Sequence, residues 1–166
     1  MKKQKGFSLI ELLIVVALIL IIAAIAVPNL VRAKMAANEA SAVASCKAIN
    51  TAESVYSTTY QTTTVFSSDL LSLGDGGTAS NCNATTTPSS TAACLIDSAL
   101  ENAVSGGTPG NKSGYMFTYT PQNGSYSLVA APITENGTGV RYFYTDQSAV
   151  IRANSGAPAT NTSSPL

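Results

Sequence analysis

The sequence contains no histidine and no tryptophan, and only 11% of its 166 residues are charged. Without histidine it lacks the side chain that most often shuttles protons or ligates metals near neutral pH. Its three cysteines, Cys46, Cys82 and Cys94, do not fall at metal-ligand spacing. No glycine-rich loop joins a strand to a helix as phosphate-binding motifs require. Asp69, Asp75, Asp97 and Asp146 are scattered, whereas calcium needs about six to eight converging oxygens. These absences exclude the common catalytic constellations, so neither enzymatic activity nor a cofactor or metal is expected. Nine lysines and arginines balance nine aspartates and glutamates. With no net field to attract polyanions, nucleic acid is not an expected partner.

What the sequence does contain is one long apolar run. From Phe7 to Val27 it reads FSLIELLIVVALILIIAAIAV, almost unbroken Leu, Ile, Val and Ala. A helix rising about 1.5 Å per residue would carry this run across roughly 31 Å, the thickness of a bilayer core. Lys2, Lys3 and Lys5 precede it, and clustered cations resist translocation. The short N-terminus is therefore expected to stay in the cytoplasm, with everything beyond Val27 facing outward as an extracytoplasmic head. A secretory signal peptide cut after Ala26 would account for Ala24-Ile25-Ala26, but such apolar cores are normally shorter. A plain single-pass anchor accounts for the length and leaves Glu11 as a penalty of about 2.5 kcal/mol or more. Glu11 calls for a function.

The stretch KGFSLIELLIVVA, residues 5–17, resembles the N-terminal signature of type IV prepilins and of the pseudopilins of type II secretion systems. The motif is highly specific. In that family a membrane-embedded peptidase cuts after the glycine and methylates the new amino group, which implies cleavage between Gly6 and Phe7 and N-methylation of Phe7. The cut leaves a cationic amine on Phe7, one helical turn from Glu11, and pairing the two charges offsets the cost of burying each alone. The resemblance further implies that Glu11 of an incoming subunit meets the Phe7 amine of its neighbour, fixing register while the apolar helices stack into a homo-oligomeric filament. Its implied partners are the prepilin peptidase, the membrane and an inner-membrane assembly platform with cytoplasmic ATPase motors. Pilins also carry a proline where Pro28 stands. There it either kinks the helix or marks the membrane exit and the start of a second one.

Residues 29–60 are rich in alanine, carry no glycine or proline, and read as continued helix. Val31, Met35, Ala42, Cys46, Ile49, Tyr56 and Tyr60 would form the stripe beneath a sheet. Arg32, Lys34, Glu39, Lys47 and Glu53 are expected mostly on the solvated face. Residues 61–114 read as a variable loop region with short helices near 67–73 and 95–104. Three cysteines allow three pairings. Cys82 and Cys94, flanking a Thr/Ser-rich stretch beyond the export segment, are the favoured pair, contributing roughly 3 kcal/mol by loop closure. Cys46 reads as a buried thiol, with a bridge between copies as the alternative. Strands are expected at 115–120, 125–131, 140–145 and 149–152, with Asn123-Gly124 as a hairpin turn. Tyr115, Phe117, Tyr119, Tyr126, Leu128, Tyr142 and Tyr144 are candidates for the face toward the helix. The tail, residues 154–166, reads as flexible.

The expected architecture is thus α+β and type IV pilin-like: a leader at 1–6, a transmembrane and polymerisation helix at 7–28, its second half in the head at 29–60, and an antiparallel sheet of three or four strands at 115–153. The expected function is that of a pilus subunit, held in the inner membrane before assembly and extracellular afterwards. The alternatives are a pseudopilin that drives protein secretion and a minor pilin acting in adhesion or DNA uptake. Major pseudopilins carry a calcium-binding acidic loop near the C-terminus, and no comparable cluster occurs here.

Overall fold

A computed structural model describes residues 7–60, 65–77, 82, 87–101 and 110–166. The chain divides into two compact units, residues 1–34 and 35–166. One helix, α1 (Leu9–Thr59), contributes to both. It holds no glycine, and its alanines and straight-chain apolar residues cost little to order as helix. Pro28 lies inside it, so the carbonyl four residues back loses its usual donor. No second helix begins at Pro28, because α1 continues without a break.

In the first unit every described side chain but the half-buried Ala23 is exposed. The helix there is apolar all round, as segments buried in lipid or among other helices are. In the second unit α1 buries one face: Glu39, Ala42, Cys46, Ile49, Glu53 and Tyr56, recurring at alternating three- and four-residue steps. That face packs on the sheet through Tyr115, Phe117, Leu128, Ala130 and Phe143, all fully buried. Two expectations are corrected here. Glu39 and Glu53 lie on the buried face rather than the solvated one, because polar groups of the sheet and of the following loop receive them. Tyr142 and Tyr144 are only partly buried, while Phe143 and Thr145 are buried beside them. Alternate strand residues face opposite ways, so the two parities cannot share a side.

The sheet has six strands in sequence order, every neighbouring pair antiparallel: β1 (Gly110–Lys112), β2 (Tyr115–Gln122), β3 (Ser125–Pro132), β4 (Arg141–Asp146), β5 (Arg152–Ser155) and β6 (Ser164–Pro165). The α+β class matches expectation, but the strand number exceeds the expected three or four. The extra strands, β1 and β6, are too short to show a two-residue hydrophobic period. The fourth expected strand shifts to Arg152–Ser155, because the turn after β4 is longer than it reads: Ser148 N–H donates to Asp146 Oδ1 at 2.9 Å and Ala149 N–H to the Asp146 carbonyl at 2.8 Å. The tail expected to be flexible folds back on the sheet. Leu166 N–H bonds the Ile151 carbonyl at 2.9 Å, Arg152 Nη1 donates to the Ser163 carbonyl at 3.0 Å, and Ala159 is buried.

Between α1 and the sheet, α2 (Leu70–Leu73) starts at the capping carboxylate of Asp69, which accepts Ser72 N–H at 2.8 Å. It starts later than expected because Ser67 bonds Glu53 instead. A second short helix, α3 (Ser98–Glu101), precedes residues 102–109, where the rest of the expected helix lies outside the described residues. Gly114 has no room for a side chain: at φ +75°, an added Cβ would sit 2.8 Å from Asn38 Nδ2 and 2.9 Å from Thr138 Cβ.

The packing predicts a sharp contrast along α1. Ile49→Ala removes a fully buried side chain and should lower unfolding stability by about 2 to 4 kcal/mol. Val55→Ala, on the exposed face, should change it by less than about 0.5 kcal/mol. Thermal unfolding of the detergent-solubilised chain measures both, and equal losses would contradict the assigned buried face.

Candidate assembly surface

The surface with chemistry to explain begins at Phe7, which is 83% exposed. Leu9, Leu12, Leu13, Val16, Ala17 and Leu20 line a shallow apolar groove along the first helical turns. Glu11 lies in the first turn, where the partial positive charge of the helix N-terminus favours a carboxylate. No hydrogen bond or ion pair holds it among the described residues. Gly6, the residue before the expected cleavage point, lies outside the described residues. Glu11 and Arg32 bracket the apolar stretch: the 21 residues between their positions correspond to about 31 Å of helix. That equals a hydrocarbon core, so both charges fall at its margins rather than in its middle.

The second half of α1 holds the head through polar groups, and the spacing sets where they act. Positions 39, 50 and 53 share one helix face, since 11 residues make about three turns. Glu39 Oε1 accepts the Val140 N–H at 2.9 Å, and its Oε2 accepts Arg141 Nε–H at 2.7 Å. Burial alone would raise the pKa of this carboxyl, but the bonds from Val140 and Arg141 outweigh it and hold the pKa below the usual range. Asn50 Oδ1 accepts Tyr126 Oη–H at 3.0 Å, and Nδ2 donates to the Ala149 carbonyl at 3.1 Å and to Thr145 Oγ1 at 2.9 Å. Glu53, fully buried, accepts from Ser67 N–H at 3.0 Å, Ser67 Oγ–H at 2.5 Å and Tyr119 Oη–H at 2.5 Å. Burial pushes its pKa up despite these donors, and pushes Tyr119 up as well.

Cys82 and Cys94 are joined by a disulfide, with Cα atoms 5.5 Å apart. Beside this loop, Glu101 accepts the Asp75 N–H at 2.8 Å and the Gly77 N–H at 2.9 Å, and burial raises its pKa. A Cβ at Gly74 would collide with the Glu101 carboxylate, so glycine is required there by space. Cys46 is buried against the core, and desolvation lifts its thiol to about 12. Among the described residues no group of three His, Cys, Asp or Glu could hold a metal ion. Sequence reading missed the role of Asn50 and misplaced Glu39 and Glu53. The signal was present in their spacing to Ala42, Cys46, Ile49 and Tyr56, and charge alone argued the other way.

A bare apolar helix that continues into a sheet-bearing head defines a subunit built to pass from a membrane into an assembly. The family model described as the prokaryotic N-terminal methylation motif matches residues 1–27. The type IV wide pilus major component PilA4 of Thermus thermophilus is 34% identical over 132 residues, covering 79% of this chain and 92% of that protein. No solved structure shows significant similarity. The chain belongs to the type IV pilin family.

The buried carboxylates make stability depend on pH with a defined sign. A carboxyl whose folded pKa is raised favours folding below its unfolded pKa and loses that contribution as pH climbs through the folded value. Glu53 starts from 4.5 and moves up. The melting temperature of the wild-type chain should therefore fall between about pH 4.5 and neutrality. Glu53→Gln, which preserves bonding to Ser67 and Tyr119, should flatten that fall; Glu101 leaves a residual slope of the same sign. An unchanged slope in the variant would refute the assignment to Glu53.

Proposed function

We propose that this chain is a structural subunit of a type IV pilus. It is inserted with its lysines in the cytoplasm and its head in the periplasm, cut between Gly6 and Phe7 by prepilin peptidase, and N-methylated at Phe7. It then packs its apolar helix into a helical filament outside the cell. The observation that carries this reading is α1 itself: an uncovered apolar surface interrupted, between residues 9 and 31, by the single carboxylate Glu11. Lipid satisfies that surface before assembly, and the helices of other copies satisfy it afterwards. Charge adds what grease lacks. A methylated amine remains cationic, so Glu11 of an arriving copy and Phe7 of a seated neighbour neutralise each other in a medium where either alone is expensive.

Transfer out of the bilayer needs work. An inner-membrane platform driven by cytoplasmic ATPases supplies it in this reading, and Pro28 gives the rod a point that yields as heads crowd together. The pilus reading is favoured over the secretion pseudopilin because the relative covering most of the chain is the major component of a wide pilus.

Mass spectrometry of the N-terminal peptide from purified filaments should show a mature chain that begins with methylated Phe7. Glu11→Gln should be cut like the wild type yet yield about tenfold fewer filaments or less, in keeping with loss of a buried charge pair. A mature N-terminus at Val27, or wild-type filament yield from the variant, would overturn the mechanism.

A further inference from the structure

We propose that Glu135 on the loop between β3 and β4 pairs with Lys34 on α1 of the next copy outward in the filament. This rests on the pilus reading and adds a second contact between copies, in the head. The argument begins with what each charge already does. Glu39 is held by Arg141 and Asp97 by Lys112. Glu53 and Glu101 are held by hydroxyl and backbone donors, Asp69 and Asp146 by N–H groups of their own turns, and Arg152 by the Ser163 carbonyl. Among the described residues, the side chains left without such a bond are Glu11, Arg32, Lys34, Lys47 and Glu135. The three cations all stand at exposed positions of α1, and the one anion left over in the head is Glu135, also exposed.

Glu135 is presented by a braced loop. Thr138 N–H bonds the Thr134 carbonyl at 2.8 Å, Asn136 N–H the Gly139 carbonyl at 3.0 Å, and Ile133 N–H the Gly114 carbonyl at 3.0 Å. Asn38 Nδ2 donates to the Thr138 carbonyl at 2.8 Å, which fixes the loop at the level of residue 38. If Glu11 of an arriving copy meets the Phe7 amine of the copy ahead, the two chains are offset by 11 − 7 = 4 residues, about 6 Å of helix. The same offset sets residue 38 of the arriving copy beside residue 38 − 4 = 34 of the copy ahead. That residue is Lys34. Its neighbours add an apolar match: Ile133 is 49% exposed near Glu135, and Leu30 and Val31, one turn before Lys34, are 69% and 43% exposed. Apolar cover of this kind shields an ion pair from water and salt.

The test is charge exchange read in filaments. Glu135→Lys and Lys34→Glu should each reduce filament yield by about tenfold or more through like-charge opposition, with N-terminal processing unchanged. The double exchange should recover most of the wild-type yield. In a second measurement, the Glu135→Cys, Lys34→Cys double variant should give covalent dimers in assembled filaments, whereas Glu135→Cys with Lys47→Cys should not. Absence of recovery, or crosslinking at Lys47→Cys instead, overturns this pair alone if the wild type forms filaments. A wild type that is processed but found in no filament overturns the pilus reading and this pair with it.

Discussion

Water cannot cover the first half of α1. From Leu9 to Val31, sixteen Leu, Ile and Val side chains stand exposed on the isolated chain. At roughly 2 kcal/mol each, covering them is worth on the order of 30 kcal/mol. That exceeds the roughly 5 to 15 kcal/mol that holds an ordinary domain together. The rod is therefore never free in solution: it goes from lipid to other copies of itself, and the rest of the molecule is arranged around that exchange. A bundle of such rods has cohesion without direction, because burial of apolar surface is indifferent to register. Register must come from charge.

The head answers a different demand. A sheet laid on a single helix has one thin core, and much of the contact between them is polar. Glu39, Asn50 and Glu53 reach from α1 to β4, to the turn after β4, and to the start of the following loop. Each is matched to donors or acceptors that nothing else could satisfy at that depth, so shifting the helix along the sheet would leave several of them unpaired at once. Aromatic packing supplies most of the burial, through Tyr115, Phe117 and Phe143. The polar set makes only one alignment acceptable.

Legibility in the sequence followed the strength of each physical signal. The apolar run, the lysines before it and Glu11 within it are local features, and they suffice to mark the membrane segment. Strands β2, β3 and β4 announce themselves through aromatic and β-branched residues near their observed positions. Strands β1 and β6 do not, because two or three residues carry no period. Glu39 and Glu53 were assigned to solvent on charge alone, although their spacing belonged to the buried stripe. Their burial depends on partners from 14 to 102 positions away, which no window of sequence contains. Tyr142 and Tyr144 drew attention as aromatics, but parity, fixed by pairing with β3, gave the inner face to Phe143 and Thr145.

The uninterrupted helix through Pro28 has a mechanical consequence. A cable whose strands are greased along their length and locked at a few points does not stretch uniformly under load. It holds until the locks slip, then yields in steps while the grease keeps the strands together. In a fibre of these rods the proline, short of one hydrogen bond, is where each strand pays out length first. Tension would be absorbed by the backbone of many subunits before any pair of them parts.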